Sequence, residues 1–103
     1  MWSVQAFLGV TPQTATTLVL TKCTVGLSTS STSFTTGSLN TRKVDCVTGS
    51  VSVASGNTLV LDTNQVVSVS SSTTVYLYAT ASYSAGTPSY DTGNTAIMYT
   101  RLA

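Results

Sequence analysis

Apolar residues recur two apart through residues 47–83, at Val51, Val53, Leu59, Leu61, Val67, Val69, Val75, Leu77, Ala79 and Ala81. Ser, Thr, Asn and Tyr fill the positions between them. A period of two marks half-buried strands, whose side chains alternate between core and surface. Three consecutive strands are predicted here. Ser-Gly-Asn at 55–57, Asp-Thr-Asn at 62–64 and the Ser/Thr run at 70–74 are the expected turns. In the last strand Val75, Leu77, Ala79 and Ala81 share the inner face, which sends Tyr76 and Tyr78 outward.

The flanking segments extend the same pattern. Residues 2–10 form either a first strand or a docking arm, broken by Thr11-Pro12-Gln13 because proline has no ladder donor. Residues 16–23 read as a strand that continues through Val25 and Leu27. Residues 28–37 are a Ser/Thr-rich surface loop, with Phe34 as its anchor or as an exposed contact. Residues 39–47 alternate weakly and carry Arg42, Lys43 and Asp45, as an edge strand does. Residues 84–94, with Gly86, Pro88, Gly93 and Asn94, are the longest expected loop, and residues 95–102 the closing strand. No amphipathic helix is apparent. The fold class is therefore all-β, one domain over residues 1–103: a small antiparallel β-sandwich or barrel of seven to eight strands, jelly-roll-like.

Composition narrows the function. About a third of the chain is Ser or Thr and only 7% is charged, against about 25% in ordinary domains. The net charge is +1, and only Arg42 and Lys43 are adjacent cations, so no basic patch points to nucleic acid. No stretch approaches the roughly 20 apolar residues of a membrane span, and residues 1–10 lack the features of a secretory signal. A small near-neutral domain tends to associate. Either Ser and Thr supply the solvation, or a partner covers part of the surface. The partner expected is a second copy in a homo-oligomer, foremost a dimer.

Catalytic chemistry is constrained by what the chain lacks. There is no His and no Glu. That excludes a Ser-His-Asp or Cys-His apparatus and an imidazole-bound zinc. A glycosidase pair would have to come from Asp45, Asp62 and Asp91 alone. Asp91-Thr92-Gly93 resembles the active-site turn of retroviral aspartic proteases. Here, however, Pro88-Ser89-Tyr90 stands where an apolar strand should lead in, and only ten residues follow. The simpler reading is an Asx turn. Oxygen-rich Asp62-Thr63-Asn64 and Asp91 are the weak calcium candidates, short of the six to eight ligands that ion takes. No cofactor is expected otherwise. Cys23 and Cys46 are either a single bridge, closing a loop of about 24 residues for about 3 kcal/mol, or two buried thiols.

Binding chemistry rests on the aromatics. Tyr76, Tyr78, Tyr83, Tyr90 and Phe34 are the candidate interface or binding residues. They suit a subunit contact or stacking on sugar rings, unless a sandwich buries the tyrosines in a second layer with their hydroxyls hydrogen-bonded.

The short Thr- and Ser-rich strands at 16–20, 66–70 and 73–80, the Gly/Pro/Ser loop at 85–94 and the closing strand resemble the protruding spike domains of small non-enveloped icosahedral viruses, such as nodaviruses and tombusviruses. The resemblance implies a β-sandwich module on the virion surface that pairs into dimers and engages a host receptor or glycan. Loops 28–37 and 85–94 would be its contacts. Two other classes fit the same residues. One is a carbohydrate-binding or adhesin module, extracellular or on a cell surface. The other is a phage or bacterial surface-structure subunit.

Overall fold

A computed structural model describes residues 1–39 and 41–102. Among them are seven strands: β1 (Trp2–Pro12), β2 (Leu18–Ser28), β3 (Lys43–Val53), β4 (Leu59–Val67), β5 (Tyr76–Ala85), β6 (Pro88–Tyr90) and β7 (Ala96–Arg101). They make two separate antiparallel sheets, so the fold is a β-sandwich and not a barrel. In the first sheet β1 is central, with β4 along one edge and β7 then β6 along the other. The second has the order β3-β2-β5. The chain passes between the sheets four times, after β1, β3, β4 and β5. No helix is long and apolar enough to cross a membrane.

Strand β1 sends its apolar side chains inward at every second residue, and β2 does so in two runs. Val4, Ala6, Leu8 and Val10 of β1 meet Leu18, Leu20, Cys23, Val25 and Leu27 of β2 across the core. Each fully buried Leu contributes about 1.5–3 kcal/mol. The step from Leu20 to Cys23 breaks the period of two. Register shifts on both sides of β2 fall between Leu20 and Lys22. Irregular residues there invert the parity, so the apolar side chains on either side of the shift both reach the core.

Strand β2 is also covered on its outer face. Gly26 lies so close to β3 that a Cβ would stand 2.7 Å from Lys43 Cβ. The 29–39 loop is laced to the strand end. Ser28 Oγ donates to Ser33 O at 2.7 Å and accepts from the amides of Ser30 and Thr35. A Ser/Thr tract thus holds its own backbone, which water would otherwise do.

Several expected boundaries move. Residues 62–64 are not a turn: they lie inside β4, opposite Phe7, Ala6 and Gln5. The alternation of Leu59, Leu61 and Val67 runs straight through Thr63 and Gln65, which point inward and are buried. Strand β1 does not stop at Thr11 but continues to Pro12, which sits opposite Pro88 on a short edge where no donor is needed. The strand expected over residues 39–47 begins only at Lys43, after a 3-10 turn at Gly37–Leu39, and carries on through Val51 and Val53 as the longer edge strand β3. The expected loop 84–94 holds the end of β5, the short β6 and a 3-10 turn at Thr92–Asn94.

Candidate interaction surface

Outward placement of the two central tyrosines follows from the register. Tyr76, Tyr78 and Thr80 pair with Ser28, Gly26 and Thr24, while Leu77, Ala79 and Ala81 pair with Leu27, Val25 and Cys23 on the core side. Beside Tyr78, Gly26 admits Lys43 of β3 close against β2, and Phe34 of the 29–39 loop packs on the Tyr78 ring. The rings are 5.3 Å apart and tilted 60°. Lys43 Nζ lies 5.2 Å from the Phe34 ring and 5.9 Å from that of Tyr78. Phe34 is therefore an anchor, and Tyr78 is half-buried by it. Tyr76 remains exposed beside this cluster. Further along the same face Asp45 Oδ1 accepts from Thr24 Oγ1 at 2.8 Å, and its Oδ2 pairs with Lys22 Nζ at 3.7 Å.

Tyr83 and Tyr90 occupy a different side. They stand opposite Leu20 and Val10, on the core faces of β5 and β6, yet remain about half exposed. The reason lies in how the sheets face each other. Strand β3 lies close over β4, and β2 over β1 and β4, but β5 and β7 do not approach in the same way. The sandwich is closed along β3/β4 and open along β5/β7. Sequence alternation identified the inner face of β5. It carried no signal that the neighbouring strand was missing.

At one end this open side widens into a groove of about 800 Å³. Val4, Val67 and Ile97 form an apolar floor, and Ser70–Thr74 pass along it with their hydroxyls. Trp2 and Tyr99 stand on the wall edge to face, 5.7 Å apart. Tyr99 is 70% exposed. Arg101 also lines the groove. All three Asp carboxylates are engaged elsewhere, by Lys22 and Thr24, by Gln5, and within the 91–94 turn. Trp2, Tyr99 and Arg101 were not singled out as a set from the sequence, because they come from opposite ends of the chain. Only pairing of β1 with β7 brings Trp2 opposite Arg101.

The remaining candidates have local roles. Asp91 caps the Thr92–Asn94 turn: its carboxylate accepts from Gly93 N at 3.0 Å, Asn94 Nδ2 at 2.9 Å and Thr58 Oγ1 at 2.9 Å. The expected Asx turn is formed, and these donors hold its carboxyl below the usual carboxylate range, Asn94 most strongly. Asp62 and Asn64, the other calcium candidates, take contacts from Gln5 and Ser3 on the outer face of β4. No three His, Cys, Asp or Glu side chains are grouped as metal ligands among the described residues.

Cys23 and Cys46 are both free thiols. Cys23 is fully buried, and burial, with a smaller contribution from Cys46, pushes its thiol up to about 11. Cys46 occupies the irregularity where β3 shifts register, with its Sγ 3.7 Å from Val44 O and 3.9 Å from Asp62 O. Its thiol is raised as well, by burial first and then by Asp62 and Asp45.

The two loops expected to form the contacts lie apart. Loop 29–39 follows the end of β2 that pairs with Tyr76, whereas Gly86 and Thr87 sit against Thr17 and Gln13 at the opposite end of a molecule 46 Å long. Fold and surface define a small antiparallel β-sandwich with exposed tyrosines and one open side. Neither family models, curated proteins nor solved structures give a match to this chain.

Proposed function

We propose that this chain is a non-catalytic structural and attachment module: the protruding domain of a viral capsid protein, carried on the virion surface, paired into dimers and in contact with the host cell. The reading rests on the texture of the surface. Tyr76, Tyr83, Tyr90 and Tyr99 are exposed on a chain with only four cations and three carboxylates. Exposed tyrosines offer large contact area and a polar tip, and they are enriched at interfaces. Few charges mean little repulsion between copies. Light scattering at low micromolar concentration tests the pairing: a dimer is expected, and a monomer overturns it.

A carbohydrate-binding module is the second reading, favoured by the groove. Trp2 and Tyr99 present aromatic surface for a sugar ring, Ser70–Thr74 supply hydroxyls, and Arg101 a cation for an acidic group. A glycan array decides it. Binding lost in a folded Trp2→Ala variant but kept in Tyr76→Ala places recognition in the groove. No binding to any glycan removes this reading.

A further inference from the structure

The edges of the two sheets are defended unequally. An edge strand carries unpaired N–H and C=O groups, and natural sheets blunt such edges with charge, proline, irregular residues or inward polar groups. Strand β3 has Lys43, Asp45 and register shifts at two places. Strand β4 has Asp62 and the inward Thr63 and Gln65. Strand β6 has Pro88, and β7 has Arg101. Strand β5 has none of the charges and no proline over its ten residues. It is also regular where it matters: residues 76–82 pair with β2 residues 28–22 without a shift, and the irregularity comes only beyond Ser82.

We propose that β5 is the dimerisation edge: two copies pair antiparallel through β5 about a two-fold axis, joining their β3-β2-β5 sheets into one of six strands. This rests on the dimeric reading above and names the surface that makes it. Several observations select a second copy as the occupant. A two-fold axis sets identical residues near one another, which a charged edge resists and an uncharged one permits. Inner and outer faces must also match. Pairing centred on Ala79 does this across the whole regular stretch, setting Leu77 beside the partner's Ala81 and Tyr78 beside the partner's Thr80. Small residues at 79 and 81 leave room on the inner side, and the outer row meets as Tyr against Thr and Ser, cross-strand pairs that sheets favour.

The experiment combines light scattering with amide exchange on the intact chain, using Thr80→Lys and, as a folded control, Ser52→Lys on the β3 edge. Both sites are exposed. The expected result is a dimer whose dissociation constant rises about tenfold or more in Thr80→Lys and is unchanged in Ser52→Lys. Alternate β5 amides should gain protection as the wild type is concentrated. A dimer that ignores Thr80→Lys and leaves those amides unprotected overturns the β5 edge while the dimeric reading stands. A monomer at every concentration overturns both, and a trimer excludes a two-fold edge pair. If Thr80→Lys alters the circular dichroism of the monomer, Tyr76→Lys replaces it at the same edge with the same expectation.

Discussion

Gln65 of β4 hydrogen-bonds the backbone of Arg42 twice across the two sheets: its Oε1 accepts from Arg42 N at 2.7 Å and its Nε2 donates to Arg42 O at 2.8 Å. The same carbonyl accepts from Leu27 N of β2 at 3.2 Å. A side-chain amide therefore takes the place of a neighbouring strand just before β3 begins, and it fastens the closed side of the sandwich. Gln65→Leu removes both bonds while keeping bulk. It is expected to cost about 1–2 kcal/mol in urea unfolding. An unchanged midpoint would mean that water replaces the amide at no loss.

Thr41, beside this pair, is 2% exposed, and its hydroxyl has no partner among the described residues. Replacing a buried, unpaired hydroxyl with a methyl group removes a desolvation cost. Thr41→Val should therefore raise the urea midpoint, by about 1 kcal/mol of stability. A loss of similar size would show that a bound water or a rotated hydroxyl meets that need.

Gly9 allows the 91–95 segment to lie against β1. A Cβ there would stand 2.9 Å from Asn94 Cβ and 3.2 Å from Asp91 O, while Gly9 O accepts from Asp91 N at 2.8 Å. Gly9→Ala is expected to cost about 1–3 kcal/mol, as overpacking does. Asp91→Ala should lower the melting temperature at pH 7 and have less effect in acid. Its carboxyl titrates lower when folded, so the stability it gives is present above the unfolded value and lost as pH falls through the folded one. Equal effects at pH 7 and pH 2 would contradict this.

The thiols predict the opposite pH dependence. Both are raised in the fold, Cys23 to about 11, so folding favours their protonated form. Stability from this source is complete below the unfolded thiol range and declines as pH rises through the folded values. Unfolding midpoints should fall between about pH 9 and pH 11 and fall less in Cys23→Ala. In the native protein a thiol reagent should modify the partly exposed Cys46 first and Cys23 only on unfolding.

The two faces of β5 should respond differently. Leu77 packs against both core clusters, and Leu77→Ala is expected to cost about 2–4 kcal/mol. Tyr78→Ala loses the Phe34 ring and the Lys43 cation, a loss of about 1–2 kcal/mol, and should free the 29–39 loop to proteolysis. Equal destabilisation by both would place Tyr78 in the core.

Alternation alone determined the all-β class and the inner face of β5, because strand side chains have a strict period of two and Leu77, Ala79 and Ala81 keep it. Composition marked Phe34, the one large apolar residue in a hydroxyl-rich tract, as either an anchor or an exposed contact, and only its packing on Tyr78 decided for the anchor. It misjudged residues 62–64, where turn-forming side chains sit on the solvent face of a strand whose other face buries polar Thr63 against Gln65, and Gln65 against Arg42 across the sheets. Local composition cannot register such partners. The charges of Lys43 and Asp45 marked β3 as an edge, but tertiary structure alone decided the other edges, and that β3 and β4 close over one another while β5 and β7 stay apart. It alone brought Trp2 to Arg101 and Tyr99 across nearly the whole chain. Strand order is set by packing between residues far apart in sequence, and no window along the chain contains both members of such a pair.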